Sequence, residues 1–348
     1  MERLSQQPAG FLRPSHRSCR RAAWAALRDP LASQLVRQCY SSNSTRRLDI
    51  ETLQRVSGVH GCSREKNRLW MVLMVRNEAH LLIENLLYHL ALGVDHFLVY
   101  DDHSADNLRP ALQPFVDAGL ATHIPVADGL RQLEVYDAAV AYARDRQVRW
   151  LAVIDVDEFF VSARSACMAA LLEEVYRQHV ERLSIVAINW RFVHTDVFFD
   201  DRGMFQAERA NDSVGAANFH VKAIVIPNRV GRFTSPHDTA PVGQWQAFSP
   251  GGREVNGPFL EPPDAEDTAL LHFHAQSPAG WIRKRIRGRA DFRHSDMEAR
   301  KETFLNDDAM QLLQEWSTHT GHAAPPDHPL EKALRETISK LRRALDGL

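Results

Sequence analysis

From Arg68 onward the chain alternates short, continuously apolar runs with stretches whose apolar residues recur at helical spacing, and few folds accept that alternation. LWMVLMV (Leu69–Val75) has the length of a strand, and in the EAHLLIENLLYHLALG that follows, Leu81, Leu82, Leu86, Leu90 and Ala91 share one helix face. The pairing repeats. DHFLVYDD reads as a strand and ADNLRPALQPFVDAG as a helix, with Ser104 predicted as its N-cap and Gly119 as its stop. Leu120–Val126 and WLAVID read as further strands, with Leu130–Arg146 as the helix between them. MAALLEEVYRQHVERL then reads as a helix and LSIVAINWRFV as another strand. Strands apolar on both faces need cover on both faces, which predicts an α/β domain with an open, doubly wound, mostly parallel sheet flanked by helices.

Sheets of this kind bind ligands at the carboxyl ends of their strands. Polar clusters fall at those ends: Arg76, Asn77 and Glu78 after the first strand, Asp101 and Asp102 after the second, and Asp155, Asp157 and Glu158 after the fourth. In WLAVIDVDEFFV, an extended backbone continuing through the acids would turn Asp155 and Asp157 to one side and Val156 to the other. Two adjacent carboxylates repel unless a cation lies between them, and oxygen ligands select hard ions such as Mg2+ or Mn2+, which usually bridge to phosphate. Glu158 would face away and brace the loop or neighbouring backbone. Read structurally instead, such acids are turn residues or helix caps. A P-loop NTPase is disfavoured because the chain contains no Gly-Lys pair, and an aspartyl-phosphate phosphatase because Phe159 and Phe160 stand where a small hydroxyl residue is expected.

Composition narrows the partners. The 348 residues carry 42 basic and 44 acidic side chains, a net charge of −2 that gives no footprint for nucleic acid. The four cysteines form no CxxC pair and imply neither a disulfide framework nor a zinc site. No apolar run reaches the roughly 18 residues of a membrane span, so the expected location is cytoplasmic, with peripheral membrane contact as an alternative. Residues 1–66 are rich in Arg and Ser, the composition of an organelle-targeting segment or of a partly disordered basic tail. The stretch from Thr195 to Pro278 is rich in loop signals, and SPAGWIRKRIRGRADF, Glu298–Trp316 and Leu330–Leu345 read as helices.

MVLMVRNEAHLLIENLLYHLALGVDHFLVYDDHSADN, then Gln132 and Tyr136 in a helix, then RWLAVIDVDEFFV, resembles the glycosyltransferase family 2-like and family 92-like enzymes of the GT-A fold. The likeness continues more weakly through FHVKAIVIPNRV, TSPHD and LLHFHAQSPAGWIRKRIRG. It implies a GT-A-type glycosyltransferase domain over 67–295, with a nucleotide-sugar half (67–194), a loop-rich acceptor half (195–295) and a C-terminal helical extension over 296–348. The implied activity is metal-dependent transfer of a sugar, with inversion, from a nucleotide diphosphate sugar to a glycan, lipid-linked or protein acceptor. The rival is a non-catalytic carbohydrate- or nucleotide-binding protein on the same fold. The resemblance also implies roles for particular residues. Arg76, Asn77, Glu78, Asp101, Asp102, Gln132, Tyr136 and Lys222 would bind the nucleotide sugar, and Asp155 and Asp157, with His237 and His272, would hold Mn2+ or Mg2+. The general base is open among Asp196, Glu208 and Asp238.

Overall fold

The computed structural model describes residues 50–57, 62, 66–128, 130–194, 213–274 and 284. Its helices are α1 (Ile50–Val56), α2 (Ala79–Ala91), α3 (Leu108–Asp117), α4 (Gln132–Asp145) and α5 (Met168–Gln178). Its strands are β1 (Leu69–Val75), β2 (His96–Asp101), β3 (Ala121–Pro125), β4 (Trp150–Val153), β5 (Glu158–Ser162), β6 (Leu183–His194), β7 (Ser213–Val225), β8 (Val230–Ser235), β9 (Asp238–Pro241), β10 (Gln246–Phe248), β11 (Glu254–Val255) and β12 (Thr268–His272). The helices predicted over 298–316 and 330–345 lie outside the described residues.

The main sheet runs β11-β10-β6-β7-β4-β1-β2-β3, with β12 joining β6 to β5. β4, β1, β2 and β3 are mutually parallel, while β7 runs antiparallel to both β4 and β6. Alternate residues of β1 divide between two cores. Leu69, Met71, Leu73 and Val75 pack with the apolar faces of α2, α3 and α5, whereas Trp70 and Val72 pack with Val135, Tyr136, Ala139 and Val140 of α4. Cover on both faces is what continuously apolar strands require, and each such side chain buried contributes about 1.5–3 kcal/mol before entropy is counted. The fold is a mixed α/β arrangement with a curled, mostly parallel sheet flanked by helices. α1, ahead of the domain start predicted at residue 67, also places Leu53 and Val56 in the first core.

Two local expectations need correction. α3 starts at Leu108 with Asn107 in the N-cap position, and Ser104 is used elsewhere: its Oγ accepts a hydrogen bond from the Asn77 N–H at 3.0 Å. The stretch after Thr195 is more regular than its turn signals suggest, because β7 pairs with β6 from Ile185 to His194 and β12 pairs with both β5 and β6. Among the described residues no helix is long and apolar enough to cross a membrane.

Candidate active site

The acids that follow β4 do not continue the strand. β4 ends at Val153, and the Glu158 N–H donates to the Asp155 carbonyl at 3.0 Å, closing a turn over Asp155–Glu158. The side alternation predicted for an extended Asp155–Asp157 is therefore replaced by turn geometry. Glu158 braces this turn a second time, its Oε2 accepting from the Asp155 N–H at 2.9 Å. The chain then enters β5, whose Glu158 stands opposite His272 of β12 in the antiparallel register.

α2 holds the turn from behind. Asn85 Nδ2 donates to the carbonyls of Val156 and Glu158, both at 3.0 Å, and the Tyr88 hydroxyl donates to the Phe160 carbonyl at 2.6 Å. One turn along, His89 Nδ1 lies 3.0 Å from the Asn85 carbonyl and Nε2 accepts from the Phe160 N–H at 3.3 Å. Burial pushes the His89 imidazole down to about 3, so it is neutral, as this pattern of one donor and one acceptor demands. The polar residues Asn85 and His89 thus interrupt the apolar face of α2 where the helix meets the acidic turn.

The acids themselves face cations. Lys222, near the carboxyl end of β7, is fully buried, and its Nζ donates to Asp155 Oδ2 at 2.8 Å with Glu158 Oε1 at 3.7 Å. Asp157 receives Lys284 Nζ, which also donates to the His274 carbonyl at 3.1 Å. Burial pushes both aspartates up, but Lys222 outweighs it at Asp155 and Lys284 leads what outweighs it at Asp157, so both carboxyls are held below the ordinary range. Glu158 goes the other way, well above the ordinary glutamate value, because burial exceeds what Lys222 returns. Burial pulls Lys222 down, but Asp155 and Glu158 outweigh it and keep it charged.

Trp190 of β6 forms a wall beside the acids. Its ring centroid is 4.4 Å from that of His272, 4.8 Å from His237 and 5.2 Å from a stacked His220. His272 Nε2 lies 3.7 Å from Asp157 Oδ1, and its buried Nδ1 has no hydrogen-bond partner. Burial keeps this imidazole far below its ordinary value and therefore neutral. His237 turns Nδ1 toward the Val221 carbonyl at 3.2 Å, and burial, then Lys222, bring it down to about 4.

Among the described residues no group of three or more His, Cys, Asp or Glu side chains is assembled as a metal site. What the geometry does offer is a pair of donors, Asp157 and His272, the second neutral and with one nitrogen unpartnered. Hard divalent ions are commonly held by one or two protein ligands and completed by substrate phosphate and water. His272 turns Nε2 toward Asp157 and leaves Nδ1 unpartnered, so these two side chains are the donors the described residues offer to such an ion.

The other rim residues adjoin this turn in the sheet. The Asp102 N–H donates to the Val75 carbonyl at 2.8 Å, and Arg76 Nη1 approaches Asp102 at 3.6 Å. Asn77 adopts φ +53° and its Oδ1 accepts from the Ala105 N–H at 2.7 Å, so it ties the end of β1 to the loop after β2. Asp101 has both oxygens engaged, with the Ser104 N–H at 2.9 Å and His123 Nε2 at 3.0 Å. Glu78 is buried in the N-cap position of α2, its carbonyl accepting from Leu81 and Leu82. From α4, Gln132 donates to the Tyr136 hydroxyl at 2.7 Å, and that hydroxyl donates to Asp155 Oδ1 at 3.3 Å.

Of the three carboxylates nominated as base, Asp196 and Glu208 lie outside the described residues. Asp238 opens β9, accepts weakly from Thr234 Oγ1 at 3.4 Å, and is raised by burial. Sequence reasoning missed Lys284 and Trp190. Lys284 sits in RKRIRG, where several cations compete with no signal to separate them, and Trp190 reads as one more apolar residue of a core strand.

The acidic turn at the carboxyl end of a parallel strand is thus faced by the buried Lys222 ammonium, the partly buried Lys284 ammonium and neutral imidazoles. Residues 72–237, a little under half of the chain, match the model of glycosyltransferase family 92. A glycosyltransferase family 92 protein of Ricinus communis is 31% identical over 87 residues, which is 25% of this chain and 16% of that protein. Another, from Arabidopsis thaliana, is 27% identical over 125 residues, 36% of this chain and 20% of that protein. The matched stretch thus spans a fifth or less of these relatives. Among solved structures, a mannosyltransferase from Pyrobaculum calidifontis in complex with GDP-Man and Mn2+ is 12% identical with a TM-score of 0.35, covering 94% of this chain and 91% of that one. TarS 1-349 of S. aureus in complex with UDP-GlcNAc is 11% identical with a TM-score of 0.29, covering 69% of this chain and 72% of that one.

Proposed function

We propose that this chain is a glycosyltransferase that moves a sugar from a nucleotide diphosphate sugar to an acceptor hydroxyl. The observation that carries the reading is the Asp155–Glu158 turn, set at the end of a parallel strand and faced by Lys222 and Lys284. The family 92 match over 72–237 supports it, since those residues include the turn, Lys222 and His237.

Transfer leaves a nucleoside diphosphate whose charge grows as the glycosidic bond breaks, and fixed positive charge in a dry site stabilises that growth most. Lys222, at Asp155, and Lys284, at Asp157, supply it. Arg76 and Asp102 take the base and ribose end of the donor, and the Gln132–Tyr136 pair orients Asp155 from α4. A divalent ion, Mn2+ or Mg2+, would be held by Asp157 and His272, where it acts as a Lewis acid toward the diphosphate. Of the three candidate bases Asp238 is the one among the described residues, and burial raises its carboxyl, the direction that makes a carboxylate a better proton acceptor. Inversion at the anomeric carbon follows from direct displacement with a base of this type.

A binding protein without turnover is the second reading, favoured by the two aspartates already being matched by lysines. The test is a panel of nucleotide sugars offered with Mn2+ and simple acceptors, with nucleoside diphosphate release as the readout. Release that depends on the acceptor is expected. Saturable donor binding without release across the panel would assign the second reading instead, and release of inorganic phosphate would point to hydrolysis.

A further inference from the structure

Two cysteines far apart in sequence, Cys62 and Cys167, have a common neighbour in the Gly93 turn that follows α2. Gly93 adopts φ +94°, and a methyl group there would lie 2.9 Å from Cys62 Cβ, 3.1 Å from Cys62 Sγ and 3.3 Å from Cys167 Sγ. Both sulphurs therefore occupy the space that a side chain at position 93 would fill. Cys62 is buried, with its thiol 4.0 Å from the Ala91 carbonyl, whereas Cys167 is partly exposed. The start of α5 is tied to the same turn, because the Met168 N–H donates to the Leu92 carbonyl at 2.9 Å.

Cys167 occupies the N-cap position of α5. The neighbouring Cys62 thiol lowers Cys167 most, and the Ala170 and Ala169 N–H groups at the start of α5 add to this against burial, leaving it at about 6. Cys62 is pushed up by Cys167 and by burial. The outer cysteine is thus a thiolate near neutral pH and the inner one a protonated thiol beside it, which are the roles of an attacking and a resolving cysteine.

We propose that Cys62 and Cys167 form a reversible dithiol–disulfide couple that exchanges with small-molecule disulfides of the glutathione class and, when oxidised, staples the segment ahead of β1 to the N-terminus of α5 across Gly93. The Cys167 thiolate attacks one sulphur of the small disulfide, forming a mixed disulfide and expelling one thiolate. That thiolate takes the Cys62 proton, and the Cys62 sulphur attacks Cys167 Sγ, displacing the second thiolate. One small disulfide is reduced to one thiol and one thiolate as the protein's thiolate–thiol pair gives up one proton and two electrons, so atoms, charge and electrons balance. A cross-link closing so long a loop constrains the unfolded chain, so the oxidised form should unfold at a higher temperature.

The test treats the full chain with oxidised glutathione at neutral pH, blocks residual thiols by alkylation, and maps peptides without reduction. A Cys62–Cys167 linked peptide that dithiothreitol releases is expected, with an upward shift in Tm on the order of several degrees. Cys62→Ser should accumulate the glutathione adduct on Cys167 and show no Tm rise. A lasting adduct on Cys167 in the wild-type chain, an unreactive Cys167, or links through Cys19 or Cys39 would each overturn the proposal. The wild-type map decides alone if the variant fails to fold.

Discussion

Lys222 Nζ sits 2.8 Å from Asp155 Oδ2, the lysine fully buried and the aspartate keeping 34% of its side chain exposed. A charged amine so enclosed persists only because Asp155 and Glu158 face it, and the pair ties β7 to the turn after β4.

Lys222→Met should destabilise the protein by on the order of 3 kcal/mol at neutral pH, the low end for a broken buried pair because water screens the exposed part of Asp155. The sign with pH follows from the two directions. Asp155 is depressed when folded, so its contribution is present above its ordinary value and lost as pH falls through the folded one. Lys222 is raised, so its contribution is present below its ordinary value and lost only as pH rises through the folded one. Denaturation of both proteins across pH should therefore give a difference that is flat from about pH 5 to 10 and shrinks on acidification. A difference that grows toward acid would contradict the assignment.

Asn85→Ala removes the donors to the Val156 and Glu158 carbonyls at a fully buried site. A loss of about 2 kcal/mol is expected in urea unfolding. Donor affinity should weaken with it, because the turn that presents Asp155 and Asp157 loses its support. An unchanged unfolding midpoint would show that α2 does not hold the turn.

His89 is neutral when folded, with its titration brought down to about 3, and ordinary when unfolded. The unfolded chain therefore binds the extra proton first, and stability must fall as pH drops from about 6.5 toward that value, at up to about 1.4 kcal/mol per unit. His89→Gln, with no proton to gain, should flatten that slope. Calorimetry at several acidic pH values checks this, and equal slopes in both proteins would remove His89 as the cause.

Asp238→Asn tests the base. A fall in kcat of about 100-fold or more with donor binding intact is expected. Unimpaired turnover would move the role to another carboxylate.

The helix and strand alternation was legible because each element carries its own period: β1 and β2 are apolar throughout, and α2 repeats Leu at helical spacing. The rim was legible too, since parallel strands in order bring Val75 and Asp101 side by side. The turn at Asp155–Glu158 was not. In WLAVIDVDEFFV the acids read equally as an extended continuation or as a turn, and β5 beyond them takes its place by pairing with β12, more than a hundred residues away. Distance hid β7 in the same way. Its partner β6 supplies the order that the Pro, Gly and acid content of the intervening chain obscures. Lys284 depends on the fold around Asp157 for its meaning, so no local pattern could single it out.

The most direct test of the account compares the wild-type chain with Asp157→Asn for acceptor-dependent release of nucleoside diphosphate, with circular dichroism confirming that both are folded. The account predicts release by the wild-type protein and its loss, by a factor of roughly 100 or more, in the variant. A folded Asp157→Asn protein that releases nucleoside diphosphate at the wild-type rate would contradict it.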